Sequence, residues 1–502
     1  MNLSQAVLLC GMALTASIGR SQPDFQLNAT PVLPAPPDPA IVHALETIQP
    51  ARIEETINTL VRFSTRSTLS SLLPNSDDGL PPGVAGDRSS SLGLTSGQGI
   101  NAAGEWIFAQ FDQISKECGG CLELHRDSFT QPVGERIPQP TPITNIYAIL
   151  RGTDPAQSRR MVLVTGHYDS RSSDVLDARG PSPGANDDAS GVAVSLECAR
   201  ALSKMRFPAS VVFVAVAGEE EGLYGSAHLA KLARSEGWQL EAVLNNDIVG
   251  GNTTPGDSLQ LKDRVRVFSE GLPVAATPDE IRRIRALGEE EDSPSRQLAR
   301  AVAETARAYF PAAGTPKFAA YLVFRPDRYL RGGDHISFNR EGFAAVRFTE
   351  WREDFNHQHQ NVVRPPAGSS DPVMGDLPEF VDFNYVANVA RLNAATLATL
   401  ASSPGEPMKV TMLTDRLENG ATLRWEPPAG DATANASVDH YEVVWRETTA
   451  PDWQFVQNVQ PAAKDAAGPA VTVTVPVSKD NVVFGVRAVD TAGHRSLTVV
   501  PY

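Results

Sequence analysis

His167 in VTGHYDS, Asp187 in GANDDASG, Glu220 in AGEEEGLYGS, Asp247 in NNDIVGG and His335 in RGGDHISF follow one another through the middle of the chain. Two imidazoles and three carboxylates make a nitrogen and oxygen donor set that suits zinc rather than calcium or copper. Five such residues are too many for one tetrahedral ion but fit two ions that share a bridging carboxylate. Glu219, directly before Glu220, is left over where a general base is needed. The chemistry open to this set is hydrolysis at a pair of metals.

Two of these residues have neighbours that could tune them. His167 and Asp169 are two apart, so on a continuing strand both side chains point the same way. Asp169 can then accept the second ring N–H of His167, fixing its tautomer and raising its basicity. The DD pair at 187–188 opens a helical segment, where the positive helix end favours a carboxylate and where an N-cap is the ordinary role for an Asp. Glu219, Glu220 and Glu221 follow a fully apolar run. Adjacent carboxylates in one site repel, so a Glu left unliganded there should have a displaced pKa.

The elements needed to position these groups are legible as an alternation. NIYAILRG and MVLVTGHYD read as strands, DASGVAVSLECARALS as a helix, SVVFVAVAGEE as a strand and AHLAKLARSEG as a helix. EAVLNNDIVG is a strand, a helix falls near 294–309, and AAVRFTE is the last strand of the series. Each metal-ligand candidate is read at a strand end, with Asp187 at the start of the following helix. Nearly continuous apolar strands between helices imply an α/β fold with a mostly parallel central sheet covered by helices on both faces. Ligands gather at the carboxyl ends of such strands, the position of His167, Glu219, Glu220 and Asp247. Further helices are expected in IEETINTLVRF and over about 99–115, separated by a Ser-, Gly- and Pro-rich loop at 67–98.

The motifs HxD at His167 and Asp169, NDDASG, EEEGLxGS, NND and GDH resemble those of the secreted di-zinc aminopeptidases of the zinc-dependent exopeptidase family. These are of the bacterial leucyl aminopeptidase or aminopeptidase Y type, and are related to glutamate carboxypeptidases and glutaminyl cyclases. The matching motifs lie between about residues 162 and 350. The resemblance implies two Zn²⁺ per chain, one held by His167, Asp187 and Asp247 and the other by Asp187, Glu220 and His335. It selects Asp187 as the bridge, Glu219 as general base and Glu221 as an outward-facing residue. The implied activity is removal of N-terminal residues from peptides or proteins. A glutaminyl cyclase or carboxypeptidase on the same fold is the enzymatic alternative, and a binding protein with a vestigial metal site the non-enzymatic one. Some relatives place a Tyr near the last His ligand; here Asp334 precedes His335, and Tyr329 is one residue that could substitute. The remaining histidines lack partners in sequence, although a pocket role stays open for His357 and His359 in NHQHQN.

Around this core the chain divides. Residues 1–21 read as a signal peptide, with an apolar run from Ala6 to Ile18 too short to span a bilayer, which implies a secreted or periplasmic protein. Residues 22–40 are a proline-rich linker or propeptide, 41–402 the peptidase unit and 403–502 a unit of strand-like runs only. Trp425, Tyr441 and FGVRAVDTAG resemble a fibronectin type III β-sandwich, a spacer or a module that attaches to a surface or polymer. With three cysteines beyond residue 21, the ECGGCLEL pair Cys118 and Cys121 reads as a small disulfide and Cys198 as a buried free thiol. The net charge of −15 over 502 residues argues against nucleic acid as a partner. No later stretch is long and apolar enough for a membrane helix.

Overall fold

The computed structural model describes residues 24–26, 29–73, 97–311, 317–415, 417–429, 438–461 and 470–501. The expected signal peptide, and much of the 67–98 loop, lie outside the described residues. Strands in chain order are β1 (Thr30–Pro31), β2 (Leu122–Gln131), β3 (Thr141–Leu150), β4 (Arg160–His167), β5 (Ser210–Val216), β6 (Gln239–Asn246), β7 (Arg264–Phe268), β8 (Ala319–Val323) and β9 (Ala345–Thr349). They are followed by β10 (Met408–Leu413), β11 (Ala421–Glu426), β12 (His440–Glu447), β13 (Phe455–Val459), β14 (Val471–Val475) and β15 (Val482–Val489).

Eight strands form the main sheet in the order β2-β3-β5-β4-β6-β9-β7-β8. Its centre, β5-β4-β6-β9, is parallel, and β7-β8 is a further parallel pair. The β2-β3, β3-β5 and β7-β9 pairs are antiparallel. The sheet is therefore mixed, with a parallel centre and antiparallel pairs toward its edges. Every residue of β4, β5 and β9 is buried, as strands covered on both faces require. One face carries the helices 50–61, 99–117, 189–202, 294–309 and 383–402; the other carries 224–235 and 335–340. Helix 189–202 comes so close to β4 that a Cβ on Gly166 would meet the Gly191 carbonyl carbon at 2.4 Å. That approach brings the helix N-terminus to the end of β4.

The C-terminal strands form two sheets, β10-β11-β14 and β1-β13-β12-β15, which share a core around Trp425, Tyr441 and Val486. β1 lies within the proline-rich 22–40 segment, and it adds an edge strand to the C-terminal unit by pairing antiparallel with β13. Trp445 Nε1 donates to the Phe25 carbonyl at 3.0 Å. This unit is docked on the sheet's helical layer by buried charge. Arg446 Nη2 donates to both Asp292 oxygens at 2.8 and 2.7 Å, Arg300 Nη1 to Asp292 at 2.9 Å, and Arg487 Nη1 to Glu304 at 2.8 Å. Cys118 and Cys121 are joined in a disulfide, and Cys198 is a buried free thiol. Among the described residues no helix is long and apolar enough to cross a membrane.

Candidate metal centre

Three strand ends and one helix start converge. His167 is the last residue of β4, and Asp247 directly follows β6. After β5 the chain turns at Gly218, whose φ of 76° suits glycine, and enters a single helical turn, Glu219–Gly222. Asp187 precedes helix 189–202, whose N-cap is Asp188: its carboxylate accepts from Gly191 N at 2.9 Å and from His167 N at 3.0 Å. The two members of the DD pair thus separate, one binding backbone and the other facing the site. Asp376 fixes the facing one by accepting from Asn186 N at 2.8 Å and Asp187 N at 2.7 Å.

The Asp187 carboxylate lies between two imidazoles. Its Oδ1 is 3.1 Å from His167 Nε2, and its Oδ2 is 3.0 Å from His359 Nε2. On the first side Asp247 Oδ1 is 3.9 Å from His167 Nε2; on the second, Glu220 Oε2 is 3.1 Å from His359 Nε2. His167, Glu219 and Asp247 offer donor atoms within 4.8 Å of one another, as do Asp187, Glu220 and His359. Asp169 supports both sides. Its carbonyl oxygen is 3.1 Å and its carboxylate 3.4 Å from His167 Nδ1, and its Oδ2 accepts from Glu220 N at 3.0 Å.

His335 is absent from this group. It begins the helix 335–340, and its Nε2 donates to the Pro326 carbonyl at 2.7 Å. Asp327 lies 3.8 Å from the ring, and buried Arg347 reaches both Asp327 and Asp247. His335 is fully buried outside both donor groups, and its Nδ1 has no hydrogen-bond partner. The second imidazole among the grouped donors is that of His359, on the loop after β9, where φ is 55°. Gln358 Nε2 also reaches Asp187, at 3.1 Å. His357 turns away and stacks on Phe380, and Tyr329 is exposed at 76%. Glu221, expected to face outward, is buried, because a helical turn rather than a strand carries the three glutamates.

The electrostatics suit cations at the centre. Burial works against charge on Asp187, but His167 and His359 hold its carboxyl well below the usual range. Burial, with Asp247, Asp334 and Glu220 nearby, pushes Glu219 well above it. Burial would lower His359, yet Glu220 and Asp187 carry it up to about 10. Two inward donor atoms, His167 Nε2 and Glu220 Oε1, are buried without a hydrogen-bond partner. Nitrogen and carboxylate donors converging on two points, with orphaned donor atoms among them, fit zinc. The group opens into a cleft of ≈ 630 Å³ whose walls include Arg136, Arg171, Leu330, Arg331 and Phe355.

The chain is similar to several known proteins. Residues 145–369 match the model of "Peptidase family M28". The chain is 42% identical over 471 residues to a probable zinc metalloprotease of Pyricularia oryzae, covering 93% of this chain and 85% of that protein. It is 40% identical to one of Leptosphaeria maculans, covering 94% and 98%. A solved structure similar to it is the LapA aminopeptidase of Legionella pneumophila, at 18% identity and a TM-score of 0.45, covering 72% of this chain and 74% of that one. A glutaminyl cyclase of Fimbriiglobus ruber is also 18% identical, with a TM-score of 0.42 and coverage of 70% and 95%. With relatives this similar along almost its whole length, and the family match spanning β4 to the His359 loop, the chain belongs to peptidase family M28 and is a zinc-dependent metallopeptidase.

Proposed function

We propose that the protein is a two-zinc aminopeptidase, with His167, Asp187 and Asp247 for one ion and Asp187, Glu220 and His359 for the other. The observation that carries this reading is the division of Asp187 between two imidazoles, at 3.1 and 3.0 Å from its two oxygens. A single-ion site, as in a cyclase, gives no use to a carboxylate held open on both sides. Zinc, when bound, supplies a Lewis acid that polarises the scissile carbonyl and acidifies water.

The chain's own residues do the rest. Glu219 has a carboxylate oxygen within 4.8 Å of donor atoms of His167 and Asp247, and burial raises its carboxyl well above the usual range, which suits a group that moves a proton beside the ions. It takes a proton from the attacking water and returns it to the departing amine. Asp169 orients His167 and anchors the Glu220 backbone. Arg347, 2.8 Å from Asp247, aims that carboxylate.

Export belongs to the same reading, supported by the N-terminal apolar run and the Cys118–Cys121 disulfide. So does a fibronectin type III-like C-terminal unit, supported by two facing sheets packed around Trp425 and Tyr441. A panel of free-amino, N-blocked and N-terminal glutamine peptides, run with metal analysis, tests the activity. Cleavage of free-amino peptides alone is expected, with near two zinc per chain and loss on chelation. Turnover of N-blocked peptides or cyclisation of glutamine would overturn the aminopeptidase reading, and full activity with one zinc the two-ion reading.

A further inference from the structure

Four arginines share the cleft with the acidic centre: Arg136, Arg171, Arg328 and Arg331. Their partners are unequal. Arg328 and Arg331 both donate to Glu353 Oε2 at 2.9 Å, and Arg266 reaches the same carboxylate at 3.1 Å. Arg328 also reaches Asp327 at 3.1 Å, so these three guanidiniums are answered by two carboxylates. Among the described residues Arg136 donates to a carbonyl, Glu220 O at 2.8 Å, and Arg171 to Ser172 O at 3.1 Å and Ser173 O at 3.3 Å. Among the described residues no carboxylate lies within ion-pair distance of either. The chain as a whole carries −15, so these uncompensated cations stand out against their surroundings.

Their placement ties them to the reacting groups. Arg136 is fastened to the backbone of Glu220 itself, and Arg171 follows Asp169 by two residues. Each guanidinium is held at one edge by main-chain oxygen and keeps other N–H groups for a planar anion. A free ammonium is poorly placed against such a wall and well placed among the carboxylates below it. An anionic group is favoured at the wall, more so beside bound cations.

We propose that Arg136 and Arg171 form a carboxylate-recognition wall, so that the cleft selects peptides bearing a carboxylate next to the scissile bond. This proposal rests on the aminopeptidase reading. The carboxylate comes either from the C-terminus of a very short peptide or from an Asp or Glu side chain following the cleaved residue. Two pairs of probes separate these sources: Ala-Leu against Ala-Leu-amide, and Ala-Glu-Leu-amide against Ala-Gln-Leu-amide.

Binding is measured by calorimetry on zinc-loaded Glu219→Gln protein, with kcat/KM of the unaltered protein in parallel. Charge-assisted hydrogen bonds at a partly exposed wall predict that the carboxylate member of at least one pair binds about tenfold more tightly. That preference should fall to near unity in Arg136→Gln/Arg171→Gln, be partly kept in Arg171→Lys, and reverse in Arg171→Glu. Equal binding within both pairs, or a preference that survives the double substitution, overturns the proposal. If the preference holds and the unaltered protein does not release the N-terminal alanine, the aminopeptidase reading fails while the wall stands. If alanine is released without preference, the wall fails while the aminopeptidase reading stands.

Discussion

Replacing Asp292 with Asn tests how the C-terminal unit is held. Asp292 is 3% exposed and receives three charged hydrogen bonds, two from Arg446 and one from Arg300, at 2.7–2.9 Å. Asn keeps the shape and removes the charge, leaving two buried guanidiniums without an anion. Arg300 is under burial stress already, which lowers it to about 10 even with Asp292 present. Breaking a buried ion pair by removing one partner costs about 3–5 kcal/mol. An unfolding entropy of about 2.1 cal/mol/K per residue gives roughly 1 kcal/mol/K for a chain near 500 residues that melts as one unit. The expected fall in Tm is then about 3–5 °C. If the β-rich unit comes away alone, as roughly 100 residues, each kcal/mol moves its transition by about 4–8 °C and a separate early transition appears. Scanning calorimetry of the zinc-loaded protein distinguishes these outcomes. A Tm within about 1 °C of the parent, with the same single transition, would refute the claim that the interface is fastened by this buried charge.

Three other outcomes are expected. Glu219→Gln should retain zinc by mass spectrometry while kcat falls about 10²–10⁴-fold, because its carboxyl moves protons; loss of zinc would shift the glutamate assignment by one residue. His359→Gln should release about one of two zinc ions, whereas folded His335→Gln keeps both; the reverse pattern would restore His335 as ligand. Burial pushes Glu350 up to about 8 from an ordinary value of 4.5, so its folded form holds a proton that the unfolded chain releases. Stability should therefore decline as pH rises between about 5 and 8, by up to about 1.4 kcal/mol per unit, and denaturant titrations of Glu350→Gln should show a flatter profile.

What could be read in advance follows from which signals are periodic. β4 ends in His167, and β5 and β6 are apolar runs followed within three residues by an acid, while helix 189–202 announces itself by DDASG, so these site residues are legible in the sequence. GDH offers the right residue type in the right order, but whether the ring of His335 faces the centre depends on the Arg347–Asp327 pair beside it, which no local pattern encodes. His359 sits on a loop turned by a left-handed residue. Loop paths follow from tertiary contacts rather than from spacing, so NHQHQN could show imidazoles without showing where they go. The same limit hid Asp376, which reaches Asp187 across more than half the peptidase unit's length. The mixed edge of the sheet escaped because β7 and β8 are only five residues each. β2 was missed although its burial alternates along much of its length, as a half-exposed edge strand's should.

The pairing of β1 with β13 imposes an order on assembly during synthesis. Phe25 meets Trp445 at a sequence separation of 420, and Asp24 reaches Ser478 at one of 454. The first of these residues to leave the ribosome must wait for almost the last before either is satisfied. Contacts of such long sequence separation close late, since loop entropy must be overcome first. Until then the outer edge of β13 carries unpaired backbone groups that could pair with another chain. The clasp of residues 24–31 on the C-terminal sheets is thus a late-closing seam, and a nascent chain stalled before it would be exposed to aggregation and proteolysis.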